Sequence, residues 1–236
     1  MLHDLALSAR HVGASLARIS AWRRKGDRSL EPQWLTYGKR LQSIASTGLH
    51  FTRDRFDRER YEEIATIANE MLSALGNVPI ERISDLVPDF ACGYATPKVD
   101  VRGALVEEDM ILLVREECDG LWTLPGGFAD VGLSPARNIE KEMRKEAGLK
   151  VSARRLFGVR HKASSSYPAD VRDFYKMFFL CDRTDNAIPE PGLETIEARF
   201  FGIDDLPPLS RGRTIEADIH AAFAYATDTT KPAFFD

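Results

Sequence analysis

Cysteine is scarce in this chain: three in 236 residues, Cys92, Cys118 and Cys181, widely spaced and never paired as CxxC. An odd, scattered set excludes a disulfide framework and a thiolate zinc site, and it predicts reduced thiols in a cytoplasmic protein. No apolar run approaches the roughly 20 residues that span a bilayer, so no membrane partner is expected, and no secretory signal is read. Positive charge is in short supply too: 32 Lys and Arg against 36 Asp and Glu leave a net charge of −4. That balance argues against a general nucleic-acid surface, and DNA is not an expected partner. Internal repeats and low-complexity segments are absent. What remains is an ordinary globular composition, 44% hydrophobic and 29% charged. It is enough to bury a core in one large domain or in a domain with an appendage.

The most informative stretch is Leu124 to Leu149, LPGGFADVGLSPARNIEKEMRKEAGL. Gly126-Gly127 closes an apolar run, and after a short loop Ser134-Pro135 has the pattern of an N-cap followed by proline at the first helical position. Gly148 suits the left-handed residue that ends a helix. Ala136, Ile139, Met143 and Ala147 make a stripe that predicts docking on a sheet. Glu142 and Glu146 stand four apart, so their carboxylates stack beside that stripe. Such a pair taken alone reads as a solvated helix face.

Residues 1–31 form a basic extension. Arg10, Arg18, Arg23, Arg24, Lys25 and Arg28 face only Asp4 and Asp27 before the terminal Glu31, and Leu5, Ala9, Val12, Leu16 and Ile19 keep a helical spacing. A targeting or membrane-surface helix, a start codon placed too far upstream and a helix packed on a partner subunit all fit, so no function is assigned there.

Residues 32–85 predict two helices. Trp34, Tyr37, Leu41, Ile44 and Gly48 mark one face of the first, which is expected to end at Thr47-Gly48. Asp54 or Asp57 can cap the second, with Tyr61, Ile64, Ala68, Met71 and Leu75 on one face. Residues 86–97 read as a linker, within a stretch from Asn77 punctuated by Pro79, Pro88, Gly93 and Pro97. From 98 onward strands dominate: Val99–Leu105 and Met110–Val114 joined by a turn at Glu107-Glu108-Asp109, then Leu121–Leu124, Leu156–Arg160, a central Phe174–Cys181, and Ala198–Gly202. Ile215–Ala226 predicts a closing helix. Strands, one helix, strands, one helix point to an α+β chain built as an α/β/α sandwich.

The stretch from Gly127 to Leu149 resembles the Nudix box, G-x5-E-x7-R-E-U-x-E-E-x-G-U with U a bulky aliphatic residue. Gly127, Glu142, Met143, Glu146, Gly148 and Leu149 match in register, while Leu133, Lys141 and Lys145 depart from it. The segment WLTYGKRLQSIASTGLHF…FDRERYEEIATIANEML is similar to the small helical domain that precedes one group of Nudix hydrolases. That group cleaves nucleoside diphosphates linked to another moiety, X, and includes CDP-choline and ADP-ribose pyrophosphatases.

The resemblance implies a Nudix sandwich over 98–236 behind the helical domain, a nucleotide substrate, and a homodimer. It also implies Mg²⁺, with Mn²⁺ as a substitute, held by Glu146 and Glu142 with backbone at Gly126. Glu197, in the late segment GLETIEARFF, is the expected general base or extra ligand, preferred over Glu194. Arg160 and Lys162 are candidates for holding phosphate or leaving group, with His161 beside them as a bystander or participant. Arg213 matches the group's LPPLS..R.T pattern as a substrate contact. The amino-terminal likeness favours CDP-choline over ADP-ribose. Lys145 has three readings: facing solvent, weakening the metal site, or contacting phosphate. Lys141 is read as a structural exchange for the arginine that braces the loop.

The alternative is a nucleotide-sensing module whose box has decayed. Regulators of that kind carry a DNA-binding domain after the Nudix fold, and the roughly 30 residues after Leu206 are too few for one. A weaker third reading is a housecleaning enzyme for oxidised nucleotides or RNA ends.

Overall fold

A computed structural model describes residues 32–76 and 95–236. The helix expected in the basic extension, Cys92 and most of the linker lie outside the described residues.

The described residues open with a helical pair, α1 (Gln33–Phe51) and α2 (Arg55–Gly76). Asp54 caps α2, its Oδ1 accepting from the N–H groups of Phe56 at 2.8 Å and Asp57 at 3.0 Å. Two details differ from the pattern reading. α1 continues past Gly48 to Phe51, because Gly48 serves close packing: a Cβ there would stand 2.4 Å from the Tyr61 ring. The face of α1 turned inward is Leu35, Gly38, Gln42, Ala45 and Ser46, with Gly38 lying against Leu72 of α2. Trp34, Leu41 and Ile44 of the expected face are exposed instead.

The rest of the chain is a mixed eight-stranded sheet with a helix on each face. Its strands are β1 (Lys98–Glu107), β2 (Met110–Glu116), β3 (Trp122–Thr123), β4 (Gly126–Phe128), β5 (Val151–His161), β6 (Phe174–Arg183), β7 (Thr195–Gly202) and β8 (Phe234–Phe235). Between them come α3 (Pro135–Ala147) and α4 (Glu216–Thr227). The order is β3-β2-β1-β6-β5-β8, with β4 also paired to β1 and β7 to β2. β6 is central, antiparallel to β5 and parallel to β1. The β1–β2 hairpin turns through Glu108 and Asp109, both with positive φ (49° and 57°), the backbone of a tight two-residue turn.

Alternation along the strands fills both layers. Val101, Leu105, Leu112, Val114, Phe179 and Cys181 pack with Ile139, Met143 and Ala147 of α3. Their neighbours Ala104, Ile111, Leu113, Phe178 and Leu180 pack with Ile219, Ala222 and Tyr225 of α4. Burial on both faces explains why Ile111–Val114 is a continuous apolar run, with Met110 exposed at its start. α3 carries its expected caps: Ser134 Oγ accepts from the Arg137 N–H at 3.2 Å, and Gly148 is left-handed at φ 69°. The sheet with its two helices is the α/β/α sandwich, and the helical pair precedes it.

Candidate active site

A cleft of about 580 Å³ opens where β1 parts from β2. β1 pairs with β2 only at Val106 and Glu107, then with β4 from Arg102 to Asp100. On β1, Asp100 and Arg102 alternate with the apolar residues and so turn toward the other face, where they are buried. Arg102 grips Asp100 with both arms, Nε to Oδ1 at 2.7 Å and Nη2 to Oδ2 at 3.2 Å, and Lys176 Nζ reaches Oδ2 at 2.6 Å. Arg102 Nη1 also donates to the carbonyl of Leu124 at 3.1 Å, tying β1 to the glycine loop.

Burial alone would raise the Asp100 carboxyl, but the Arg102 and Lys176 charges outweigh it and hold the group below the usual range. Lys176 moves down as well, to about 8, chiefly through burial with Arg102 adding repulsion. The two partners do not shift as a simple ion pair would, because two cations share one carboxylate. The guanidinium holds it bidentately, so the lysine is the cation left short.

α3 forms the facing wall. Glu146 is buried and its Oε2 accepts from the Gly126 N–H at 2.9 Å. Gly126 has φ 141°, and a Cβ there would meet the Val101 carbonyl at 2.0 Å, so only glycine lets the loop lie on β1 and present that N–H. Burial lifts the Glu146 carboxyl to about 7, against the Gly126 hydrogen bond and the Arg102 charge, with Glu116 and Glu142 adding to the rise. Glu142, one turn earlier, lies between two ammonium groups: Lys141 at 3.2 Å from Oε1 and Lys145 at 3.7 Å from Oε2. Lys141 also reaches Asp130 at 2.5 Å, and Lys145 reaches Glu194 at 2.8 Å.

The remaining lining mixes cations, Lys162, Arg172 and Arg213, with the carboxylates that hold them. Lys162 and Arg172 share Asp170, at 2.8 and 3.2 Å. Burial would raise that carboxyl, but the two cations hold it down at about 2. Arg213 spans Glu116 at 3.4 Å and Asp119 at 3.1 Å. Phe128 stacks on Phe174 at the edge, ring centroids 5.6 Å apart.

The structure thus brings Glu142, Glu146, Gly126, Lys162 and Arg213 to one cleft. It does not bring Glu197 or Arg160 there. Glu197 lies within β7 opposite Arg115, and its carboxylate is drawn to Arg115 at 3.2 Å and Arg199 at 3.4 Å. Glu194, in the loop before β7, lines the cleft instead. Arg160 turns to Asp218 at 3.1 Å and covers the Phe234 ring. His161 is engaged with Asp173 at 2.8 Å. Lys145 lines the cleft rather than simply facing water, and Lys141 braces Asp130, whose N–H is held by Asn138.

Pattern reading missed Asp100, Arg102, Glu116, Asp170, Arg172 and Lys176. For Asp100 and Arg102 a signal existed: charges alternating along a strand that a two-helix sandwich covers on both faces must be buried and paired.

Among the described residues, no three Asp, Glu, His or Cys side chains converge into a closed cation cage. The chain does fit a single hard divalent ion at Glu146. That carboxylate is buried and, among the described residues, takes one hydrogen bond and joins no ion pair, and such ions complete an octahedron with water and phosphate.

The chain also resembles known proteins in sequence and fold. The family described as NUDIX domain matches residues 96–223, and the one described as UDP-X-like, N-terminal oligomerisation domain matches residues 32–87. YjhB of Bacillus subtilis, provisionally named an ADP-ribose pyrophosphatase, is 42% identical over 207 residues, 88% of this chain and 99% of that protein. A crystal structure of a UDP-X diphosphatase aligns with TM-score 0.55 and 34% identity, covering 86% of this chain and 98% of that one. An ADP-ribose pyrophosphatase from Streptococcus suis aligns with TM-score 0.53 and 36% identity over 60% of this chain and all of the other.

Proposed function

The chain belongs to the Nudix hydrolase family, and on that footing we propose that it cleaves the diphosphate bridge of nucleoside diphosphate-X compounds, releasing a nucleoside monophosphate and phospho-X. The carrying observation is the cleft itself, where a buried carboxylate suited to a divalent ion faces Lys145, Lys162, Arg172 and Arg213. The names of the similar proteins support ADP-ribose and UDP-linked compounds as first candidates, ahead of CDP-choline.

A divalent ion, Mg²⁺ with Mn²⁺ as substitute, would be held by Glu146 with Glu142 and the Gly126 backbone alongside, and would neutralise charge on the diphosphate oxygens. The chain's own groups supply position and field. Arg102 fixes the glycine loop and biases Glu146 toward its charged form. Lys162 and Arg172, already oriented by Asp170, face the phosphate that departs when water attacks the other phosphorus and the bridging P–O bond breaks. A homodimer through the helical pair completes the proposal.

A second reading, nucleotide binding without turnover, draws on one observation: both oxygens of Glu142 already face ammonium groups. A phosphatase-coupled release assay separates the two. ADP-ribose, a UDP-sugar and CDP-choline would each be run with Mg²⁺, Mn²⁺ and EDTA. Metal-dependent phosphate appearing only after phosphatase is added supports the hydrolase. Bound nucleotide with no turnover on any compound supports the binding module.

A further inference from the structure

Each cation lining the cleft is held by a carboxylate, and the carboxylates differ in what releasing them entails. Arg102 is held by Asp100, whose side chain is 10% exposed, and Lys162 and Arg172 by Asp170 at 16%. Those acids cannot rehydrate, so pulling their cations away would strand a buried charge. Lys145 is different: its close partner, Glu194 at 2.8 Å, is 62% exposed. An exposed ion pair is worth little, because water solvates both halves when it opens. Lys141 shares that freedom through Asp130, but on the helix it is level with Glu142 and one turn from Glu146. Lys145 is level with Glu146.

The backbone around the pair is fixed even though the side chains can part. The loop carrying Glu194 is pinned to the end of α3: the Glu190 N–H donates to the Ala147 carbonyl at 3.0 Å, and Thr195 Oγ1 donates to the Glu146 carbonyl at 2.8 Å. Gly192 lies so close that a Cβ would stand 1.7 Å from the Lys145 carbonyl oxygen. Glu194 therefore holds the lysine at the cleft wall and can yield it without any loop movement. Lys145 also stands 3.7 Å from Glu142 Oε2 while Lys141 takes Oε1, so the Glu142 charge is matched before any ion arrives.

We propose that Lys145 is a phosphate-contacting residue: it exchanges Glu194 for an oxygen of the substrate's diphosphate, and its ammonium limits the cleft to one divalent ion, at Glu146. The assignment rests on the diphosphate-cleaving reading above, since it names the group the lysine receives. No bond is made or broken in the exchange. One ion pair replaces another, and Glu194 turns to solvent.

The test uses the full chain and binding readouts independent of turnover. Free Mn²⁺ followed by electron paramagnetic resonance should give one bound ion per chain for the wild type and two for Lys145→Glu. In EDTA, α,β-methylene-ADP should bind the wild type, lose about tenfold in affinity in Lys145→Gln, recover in Lys145→Arg, and bind more tightly in Glu194→Gln. Two Mn²⁺ ions on the wild type would overturn the proposal. So would equal nucleotide affinity for wild type and Lys145→Gln, or no nucleotide binding by the wild type in EDTA. Failure to turn over any nucleoside diphosphate-X compound while these binding results hold would remove the hydrolase reading and leave the lysine's contact standing.

Discussion

Glu146 carries a charge that no ion pair matches among the described residues, and this has a measurable effect on the metal-free protein. Its carboxyl rises from 4.5 to about 7 on folding, burial being the main cause. A group whose folded pKa is raised contributes fully below its unfolded value and loses that contribution as pH climbs through the folded one. Stability in EDTA should therefore fall between about pH 4.5 and 7, by on the order of 3 kcal/mol from this residue. Glu146→Gln should flatten that fall while lowering turnover at least about hundredfold. Mg²⁺ should restore stability at neutral pH to the wild type only. Superimposable melting profiles for wild type and variant in EDTA would show that the buried charge lies elsewhere. Asp100 supplies the opposite case, a buried carboxylate shared by Arg102 and Lys176. Asp100→Asn leaves two buried cations facing a neutral amide, and urea unfolding should register a loss of about 3–5 kcal/mol.

At the scale of elements, the cleft depends on how the loop before β7 lies on the end of α3. Gly192→Ala places a methyl against the Lys145 carbonyl oxygen and carbon, at 1.7 and 2.8 Å, and backbone cannot step aside as a side chain can. The loop must lift, so this variant should lose more than about 1 kcal/mol and, with Glu194 drawn off Lys145, shift KM downward as Glu194→Gln does. Gly202→Ala, which meets nothing within 4 Å, is the control and should match the wild type in both melting temperature and KM.

The same contrast explains which parts of the site were legible in the sequence. α3 could be read because its signals are local: a serine cap, a proline, a terminal glycine and a stripe at helical spacing. The stacked glutamates followed from that geometry. Choosing Glu197 over Glu194 turned on where β7 begins. Starting at Thr195, the strand carries Glu197 across from Arg115, more than 80 residues away in sequence, and leaves Glu194 in the loop. Lys176 was hidden for a related reason, since it meets Asp100 only once β1 and β6, far apart in the chain, pair. The burial of α1 misled because shape as well as hydrophobicity decides which face two packed helices share. Gly38, Ala45 and Ser46 lie inside beside Leu35 and Gln42, while Trp34, Leu41 and Ile44 stay outside.

For the whole molecule, that outward face gathers many of the exposed apolar side chains among the described residues. Trp34, Phe51 and Phe56 are all mostly exposed, and Leu41, Ile44, Ile67 and Leu75 join them on the same helical pair. Single exposed apolar residues are ordinary on a protein surface, whereas this many on two short helices mark an association surface. The pair meets the sandwich through Lys39, 3.6 Å from Asp173, and through Leu35 and Leu72 packed on Val171. Those contacts stand beside Arg172 at the cleft, so the inner face is spent on the enzyme's own loop, and the outer one is the face on which the proposed homodimer can be tested. A double substitution, Trp34→Glu with Ile44→Glu, puts charge on the outer face while leaving Leu35, Leu72 and Lys39 untouched. Light scattering should find the wild type dimeric and the variant monomeric at the same micromolar concentration. The wild type's melting temperature should rise with protein concentration, as linkage to association requires, and the variant's should not. A double variant that still dimerises, with an unchanged concentration dependence, would move the interface off the helical pair.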